Sequence, residues 1–151
     1  MNIDIAEASS ERDIAAVKEL FLEYAAFLNV DLCFQNFDEE MDVFPNTYEV
    51  LFLARVDGKP AAAIGLKDLG DRVCEMKRLY ARPHYQGLGL GGNLCDRLVN
   101  EARSRGFHVM RLDTLRRLES AVALYKKRGF VETGKYCDNP VEDVIYMELT
   151  L

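Results

Sequence analysis

The chain has 151 residues, enough for one domain around one hydrophobic core. Hydrophobic residues make up 49% of it and charged residues 29%, which is ordinary for a soluble globular protein. The formal net charge of −6 argues against a nucleic-acid partner, because such proteins usually carry a basic face. No apolar run approaches the roughly 18 residues that a membrane-spanning helix needs, so no membrane partner is expected.

Cysteine usage and the N-terminus bear on the compartment. The four cysteines, Cys33, Cys74, Cys95 and Cys137, are widely spaced and contain no C-x-x-C pair. This spacing predicts neither a zinc site nor a disulfide framework. Residues Met1 to Ser10 lack the basic and apolar regions of a secretory signal. We therefore expect a cytoplasmic protein with free thiols and no metal.

The first half of the chain predicts a strand, a long helix and three antiparallel strands. Alternation over Asn2 to Ala8 indicates the first strand. Ser10 is placed to cap a helix whose apolar residues recur at helical spacing as far as Leu28, and Asn29 suits its end. An Asp57-Gly58 pair between two apolar runs predicts a hairpin. The three strands are expected at Tyr48 to Val56, Pro60 to Lys67 and Val73 to Ala81.

The connection from Val30 to Thr47 is long for a compact domain, and such connections are often binding elements. A short helix is expected at Asp38 to Val43, ending before Pro45. Phe34, Phe37 and Phe44 are expected to hold this segment on the core.

The second half of the chain alternates helices and strands. Helices are predicted at Leu88 to Arg105 and Glu119 to Arg128, each followed by a glycine suited to a C-terminal cap. Strands are expected at Phe107 to Asp113, Phe130 to Thr133 and Val144 to Leu149. With no linker, the pattern predicts a single α/β domain over residues 1–151 with a mixed sheet.

A glycine-rich turn at Gln86 to Gly92 follows the strand that ends at Ala81 and opens a helix. The first turn of a helix has free N–H groups and the positive end of the helix dipole, and glycines let a ligand approach closely. These features suit a diphosphate. Four glycines in six residues cost about 1 kcal/mol each against alanine within a helix, which argues against a turn that binds nothing.

A dinucleotide-binding turn is the competing interpretation. Gly87, Gly89 and Gly92 match G-x-G-x-x-G, and Asp113 follows at about the distance of 20 residues that this motif asks for. However, residues Arg82 to Gln86 separate the turn from its strand, and three apparently antiparallel strands precede it. The dinucleotide fold needs a parallel sheet with the turn directly after the strand.

The segment Gln86-Gly-Leu-Gly-Leu-Gly91 resembles the [Arg/Gln]-x-x-Gly-x-[Gly/Ala] signature of the GNAT acetyltransferase superfamily. Glu75 to Pro83 looks like that family's fourth strand, and Ala123 to Phe130 looks like its Leu-Tyr-x-x-x-Gly-Phe motif. The resemblance is close over residues 48 to 151 and loose before them. It implies a small GNAT-like fold, with a mostly antiparallel twisted sheet that splays between strands 4 and 5 and is flanked by helices.

The resemblance also implies the ligands. Acetyl-coenzyme A would be the co-substrate, and an amine of a small molecule or peptide the acceptor, with Val30 to Thr47 as one wall of the acceptor site. The implied coenzyme-binding residues are Leu79, Tyr80 and Ala81 along pantetheine, Gln86, Gly87, Leu88, Gly89, Leu90, Gly91 and Gly92 around the pyrophosphate, and Tyr125 near the sulfur. Ala121 matches the family pattern, but Leu118 replaces an Asn that often contacts the coenzyme. Analogy alone makes a homodimer plausible.

Direct amine attack requires loss of an amine proton, stabilisation of an oxyanion and protonation of the thiolate. The resemblance makes Tyr125 the general acid, although its helical spacing also suits a core aromatic. It makes Glu75 a candidate base, directly or through a water, although Glu75 could instead be solvated or paired with Lys77. Strand alternation places Glu75, Lys77 and Leu79 on one face. A backbone N–H within Leu79 to Ala81 is the expected oxyanion donor.

Tyr136 and Asn139 lie in the connection between the last two strands, which in the family often borders the acceptor pocket. The alternative for both is ordinary turn chemistry. The sequence thus predicts an N-acetyltransferase that transfers an acetyl group to a primary amine. A transferase that uses a longer acyl group is a variant of this prediction. The alternative is a non-catalytic acetyl-coenzyme A-binding sensor or partner module.

Overall fold

The computed structural model describes residues 1–29 and 36–151. The strands are β1 (Ile3–Glu7), β2 (Val50–Val56), β3 (Lys59–Gly70), β4 (Val73–Ala81), β5 (Val109–Leu115), β6 (Val131–Thr133) and β7 (Val144–Thr150). The helices are α1 (Glu11–Leu28), α2 (Phe37–Asp42), α3 (Leu90–Ser104) and α4 (Glu119–Lys127), and a 3₁₀ helix spans Pro83–Tyr85. Every predicted element is confirmed, with bounds shifted by a few residues. Cys33 and Phe34 lie outside the described residues.

The strands form one sheet in the order β1-β2-β3-β4-β5-β7-β6. Neighbouring strands are antiparallel except β4 and β5, which are parallel. The parallel pairing covers only Val73 with Val109, Cys74 with Met110 and Glu75 with Arg111, after which the strands part. The predicted mixed α/β fold and the splay between the fourth and fifth strands are therefore confirmed.

The two faces of the sheet carry different helices. Helices α3 and α4 pack on one face, where the core includes Phe52, Ile64, Met76 and Met110. Helix α1 and Met41 of α2 pack on the other face, against residues such as Leu53 and Tyr80. We call these the α3 face and the α1 face. The alternation of adjacent residues between two apolar cores explains why β2 and β3 read as nearly continuous hydrophobic runs.

The ends of α1 follow from its capping residues. The Ser10 hydroxyl accepts a hydrogen bond from the Asp13 amide at 3.1 Å, as the sequence predicts. Asn29 takes the left-handed conformation, with φ of 50°, and its amide donates to the Ala26 carbonyl. The left-handed Asn29 therefore ends the helix.

A bulge interrupts β4 at Arg78, whose φ is +58°. Gly65 pairs with Lys77, but Ala63 pairs with Tyr80, so β4 holds one more residue than β3 over this stretch. Leu79 consequently packs on the α3-face core with Cys74 and Met76. The expectation that Leu79 shares a face with Glu75 and Lys77 is wrong, because an inserted residue reverses the alternation.

Buried polar contacts hold this bulge. The Glu40 carboxylate accepts hydrogen bonds from Arg78 Nε at 3.0 Å, Lys67 Nζ at 2.6 Å and the Tyr48 hydroxyl at 2.7 Å. The Arg78 guanidinium also lies 4.8 Å from the centroid of the Phe37 ring. A non-glycine residue at positive φ costs roughly 1–3 kcal/mol, so these contacts with α2 offset the strain at Arg78.

Three further observations concern the compartment and metal expectations. None of the helices in the described ranges is long and apolar enough to cross a membrane. Cys74, Cys95 and Cys137 are free thiols. Within residues 1–29 and 36–151, no three histidine, cysteine or acidic side chains are grouped as a metal ion requires.

Glu40 should make stability depend on acid pH. Burial alone would raise its pKa, but the hydrogen bonds and charges from Arg78, Lys67 and Tyr48 outweigh burial and lower the pKa from 4.5 to about 2. Because the folded-state pKa is depressed, the ionised Glu40 stabilises the fold above pH 4.5, and this stabilisation is lost as pH falls towards 2. Glu40→Gln should reduce the free energy of unfolding at pH 7 by about 3–5 kcal/mol, since Arg78 stays buried without a counter-charge.

Urea unfolding at pH 7 and at pH 3 measures this effect. The exposed neighbour Glu39 provides the matched control, and Glu39→Gln should unfold like the wild type at both values. The difference in the free energy of unfolding between the wild type and Glu40→Gln should be smaller at pH 3 than at pH 7. An equal difference at both pH values would show that the Glu40 charge does not contribute to stability.

Candidate active site

A cavity of about 410 Å³ opens where β4 and β5 part. The predicted coenzyme-binding residues that line it are Leu79, Tyr80, Ala81, Gln86 and Tyr125. Thr114 of β5 lies across the gap, and Leu118 lines the cavity at the start of α4. The strand backbone that the sequence assigned to pantetheine thus faces an open slot of ligand size.

The glycine turn lies at one end of this slot. Gly87 and Gly89 have φ of +87° and +78°, a conformation that side chains disfavour. A Cβ atom at either position would meet no other atom within 4 Å, so the space in front of them is open. Across the described ranges, no hydrogen bond from the amides of residues 87–89 is found, and the first turn of α3 leaves its own amides unpaired.

The slot and the turn are linked by Gln86. Its side-chain amide donates to the Ala81 carbonyl at 3.2 Å, which ties the turn to the end of β4. The 3₁₀ helix Pro83–Tyr85 separates the turn from β4, and most of the sheet is antiparallel. Asp113 accepts a hydrogen bond from Asn139 at 3.0 Å. These features do not fit the dinucleotide-binding alternative, whose turn follows its strand directly in a parallel sheet.

Tyr125 reaches the slot from α4. The residue is 6% exposed, and its ring packs edge-on against Phe130 at 5.8 Å. None of the described residues forms a hydrogen bond with its hydroxyl. Every side-chain oxygen or nitrogen of the described residues that is fully buried does have a hydrogen-bond partner. The Tyr125 hydroxyl is therefore not fully buried, and it opens to the cavity that this residue lines. Burial, with a smaller effect of Tyr24, raises the pKa of Tyr125 well above 10. The phenol therefore stays protonated at neutral pH and can donate a proton.

A second polar cluster lies on the α1 face beside the slot. The Tyr136 hydroxyl donates to Glu75 Oε2 at 2.6 Å, and Asn139 Nδ2 donates to Asp113 Oδ2. Lys77 Nζ lies 3.8 Å from Glu75 Oε2 and 3.7 Å from Asp113 Oδ1. Burial, then the Glu75 charge, raises the pKa of Tyr136, so its hydroxyl keeps its proton. Glu75 is thus buried and hydrogen-bonded, not solvated.

The structure therefore sorts the predicted residues into two groups. Glu75, Tyr136 and Asn139 are brought together through contacts between β4, β5 and the loop before β7, but they do not line the slot. Tyr125 lines the slot but does not contact them. The separation follows from the sheet, since Tyr125 belongs to the α3-face core.

Tyr24 is among the cavity residues that sequence patterns did not identify. Tyr24 fits the apolar stripe of α1 and therefore resembles a core residue. In the structure it lines the slot, with its ring centroid 5.7 Å from that of Tyr80. Helical spacing identified the face of α1 that Tyr24 occupies, but not that this face ends at an opening in the sheet.

Comparison with known proteins shows which family has this arrangement. The acetyltransferase (GNAT) family model matches residues 14–130. The chain belongs to the GNAT acetyltransferase family. An uncharacterized N-acetyltransferase of Schizosaccharomyces pombe is 36% identical to it, covering 99% of this chain and 96% of the relative.

Solved structures share the GNAT fold at lower identity. The YncA protein of Salmonella typhimurium, solved with its cofactor acetyl-CoA, superposes with a TM-score of 0.74 at 22% identity, covering 99% of this chain and 94% of its own. The PaiA N-acetyltransferase of Thermoplasma acidophilum, in complex with coenzyme A, gives 0.76 at 19% identity, with both chains covered fully. At such identities the likeness concerns the fold of this GNAT domain.

The glycine turn generates a prediction about ligand binding. Gly87→Ala should lose roughly 1–2 kcal/mol of stability, because alanine disfavours positive φ, and should also lose coenzyme affinity, because its Cβ occupies the open space. In the wild type, acetyl-coenzyme A or coenzyme A at about 100 times its Kd should stabilise by roughly 2.7 kcal/mol, or several degrees, whereas NAD should not.

Gly58 offers a matched control. Its φ is +82° and a Cβ there also meets nothing within 4 Å, but it lies in the hairpin between β2 and β3. Gly58→Ala should show a similar loss of stability and keep the full thermal shift with the coenzyme. If Gly87→Ala keeps that shift too, the turn does not hold the pyrophosphate.

Proposed function

We propose that this protein is an N-acetyltransferase that transfers the acetyl group of acetyl-coenzyme A to a primary amine of a small molecule or peptide. The observation that carries the proposal is the slot between β4 and β5, which has an open glycine turn at one end and the protonated Tyr125 beside it. The slot thus has hydrogen-bond donors for a pyrophosphate, a strand edge for pantetheine and an acid for a thiolate.

The comparisons support acetyl-coenzyme A as the ligand. Two proteins of the same fold were solved with acetyl-CoA and with coenzyme A. In this chain, backbone amides of residues 87–92 would surround the pyrophosphate, where they complement its negative charge. The β4 edge at Leu79 to Ala81 would pair with the amides of pantetheine, because β5 has moved away from it.

The chemistry follows from this placement. The neutral amine attacks the thioester carbonyl, so a C–N bond forms as the carbonyl becomes an oxyanion. A backbone N–H of Leu79 to Ala81 would stabilise that oxyanion. As the oxyanion collapses, the C–S bond breaks and the sulfur takes the Tyr125 proton. The proton lost by the amine passes through a water to Glu75, and Glu75 then returns it through solvent to the Tyr125 oxygen, so atoms and charge balance.

A coenzyme-binding module without catalysis is the second candidate. It is favoured by Leu118, an apolar side chain that lines the slot where the family often has an Asn. Such a module would bind acetyl-coenzyme A but release no thiol with any amine. Tyr125 counts against it, since a sensor has no use for a protonated phenol that opens to the slot.

Tyr125→Phe should separate these candidates. The change retains the packing against Phe130 and removes the acid, so kcat should fall about 100-fold or more while the thermal shift with acetyl-coenzyme A stays the same. The measurement is thiol release with a panel of arylalkylamines, diamines, amino acids and peptides. Tyr85, in the 3₁₀ helix and outside the slot, provides the control, and Tyr85→Phe should turn over normally. Unchanged turnover in Tyr125→Phe would remove Tyr125 from the mechanism.

Glu75 is proposed as the base that accepts the amine proton through a water. Glu75→Gln keeps an oxygen that can accept the Tyr136 hydrogen bond but cannot take a proton. Its kcat/KM should fall about 100-fold at pH 7, and the deficit should shrink at higher pH, where the amine loses its proton to solvent. The exposed Glu39→Gln is the control. A wild-type pH profile in Glu75→Gln would leave Glu75 as a structural partner of Tyr136 and Lys77.

A further inference from the structure

The slot is lined by phenols from both faces of the sheet. Tyr125 comes from α4, which packs on the α3 face, and Tyr24 comes from α1, which packs on the opposite face. The glycine turn opens α3, so a coenzyme held by that turn enters from the α3 face. The side of the slot left for an acceptor is therefore the α1 face, where Tyr24 stands.

The Tyr24 ring is held in place while its hydroxyl is left available. Its ring lies 5.7 Å from Tyr80, and Tyr80 lies 6.3 Å from Phe27, so three aromatic rings from α1 and β4 form one wall. The Tyr24 hydroxyl forms no hydrogen bond with the described parts of the chain. Every fully buried polar side-chain atom in those parts does have a hydrogen-bond partner, so the Tyr24 hydroxyl is not fully buried. The hydroxyl therefore faces the slot, ready to bond with a ligand.

The charges around Tyr24 keep the phenol neutral. Burial raises its pKa to about 12, with Arg78 lowering it and Asp113 raising it. Arg78 lies in the β4 bulge and Asp113 on β5, on either side of the point where the strands part. A neutral phenol there keeps oxygen lone pairs that can accept a hydrogen bond from an amine N–H.

We infer that the Tyr24 hydroxyl binds the acceptor, accepting a hydrogen bond from the attacking amine and directing its nitrogen lone pair at the thioester carbon. This inference rests on the proposed acetyltransferase function. Tyr24 and Tyr125 then act from opposite faces on the two ends of the reaction, the nitrogen that arrives and the sulfur that leaves. Holding the nitrogen in line is the kind of positioning that makes transfer between bound groups fast.

Tyr24→Phe tests the inference because it removes only the hydroxyl and keeps the ring against Tyr80. With the amine that the wild type acetylates best, the KM for the amine should rise about 10-fold or more. The KM for acetyl-coenzyme A, the thermal shift with coenzyme A and the midpoint of thermal unfolding should stay at wild-type values. A merely structural role would lower the unfolding midpoint or change both KM values together.

Other results would overturn the inference. A wild-type kcat/KM for the amine would show that the hydroxyl does not touch the acceptor. Tyr85→Phe serves again as the control and should match the wild type in every parameter. Failure of the proposed function has a separate signature, since the wild type itself would then release no thiol with any amine of the panel.

Discussion

The separation of β4 from β5 opens the cavity around which the other features of the site are arranged. Two parallel strands that pair over three residues and then separate leave backbone N–H and C=O groups facing a gap. Such groups need partners when they are covered, and the gap is covered on both faces, by α1 and by α4. An extended chain with its own amides, such as the proposed pantetheine, would supply those partners. The fold thus contains a binding slot for the same reason that its sheet is incomplete.

The bulge at Arg78 connects this slot to the segment before β2. Its left-handed backbone is strained, and the Glu40 carboxylate and the Phe37 ring of α2 hold the arginine in place. Helix α2 is therefore fastened to the strand that borders the reaction site. Because Lys67 and Tyr48 share the same carboxylate, a shift of α2 would disturb β3 and β4 together. This rigidity suits a site in which bond formation depends on distances of a few tenths of an ångström.

Much of the fold could be predicted from local signals. Ser10 and Asn29 bound α1, and Asp57-Gly58 marks the hairpin, because capping and turn chemistry act over a few residues. The position of Leu79 could not be predicted, since the inserted residue at Arg78 is stabilised by Glu40, which lies 38 residues away in the chain. Tyr24 resembles a core residue in the sequence for a related reason. Its helix face is apolar along its length, and only the tertiary structure shows that the sheet beneath one end is open.

The two ligands of the proposed reaction leave unequal traces in the sequence for a physical reason. A pyrophosphate bound by backbone amides favours closely spaced glycines at a helix start, and that preference produces a short motif such as the one at Gln86 to Gly92. The proposed acceptor side would be built from side chains of α1, β4, β5 and the loop at Tyr136, which meet only after folding. No spacing rule links Tyr24 to Glu75 or Asn139, so no motif relates Tyr24 to them. If the acceptor binds as proposed, its specificity would change by substitutions on the α1 face while the glycine turn, on the other face, stays as it is.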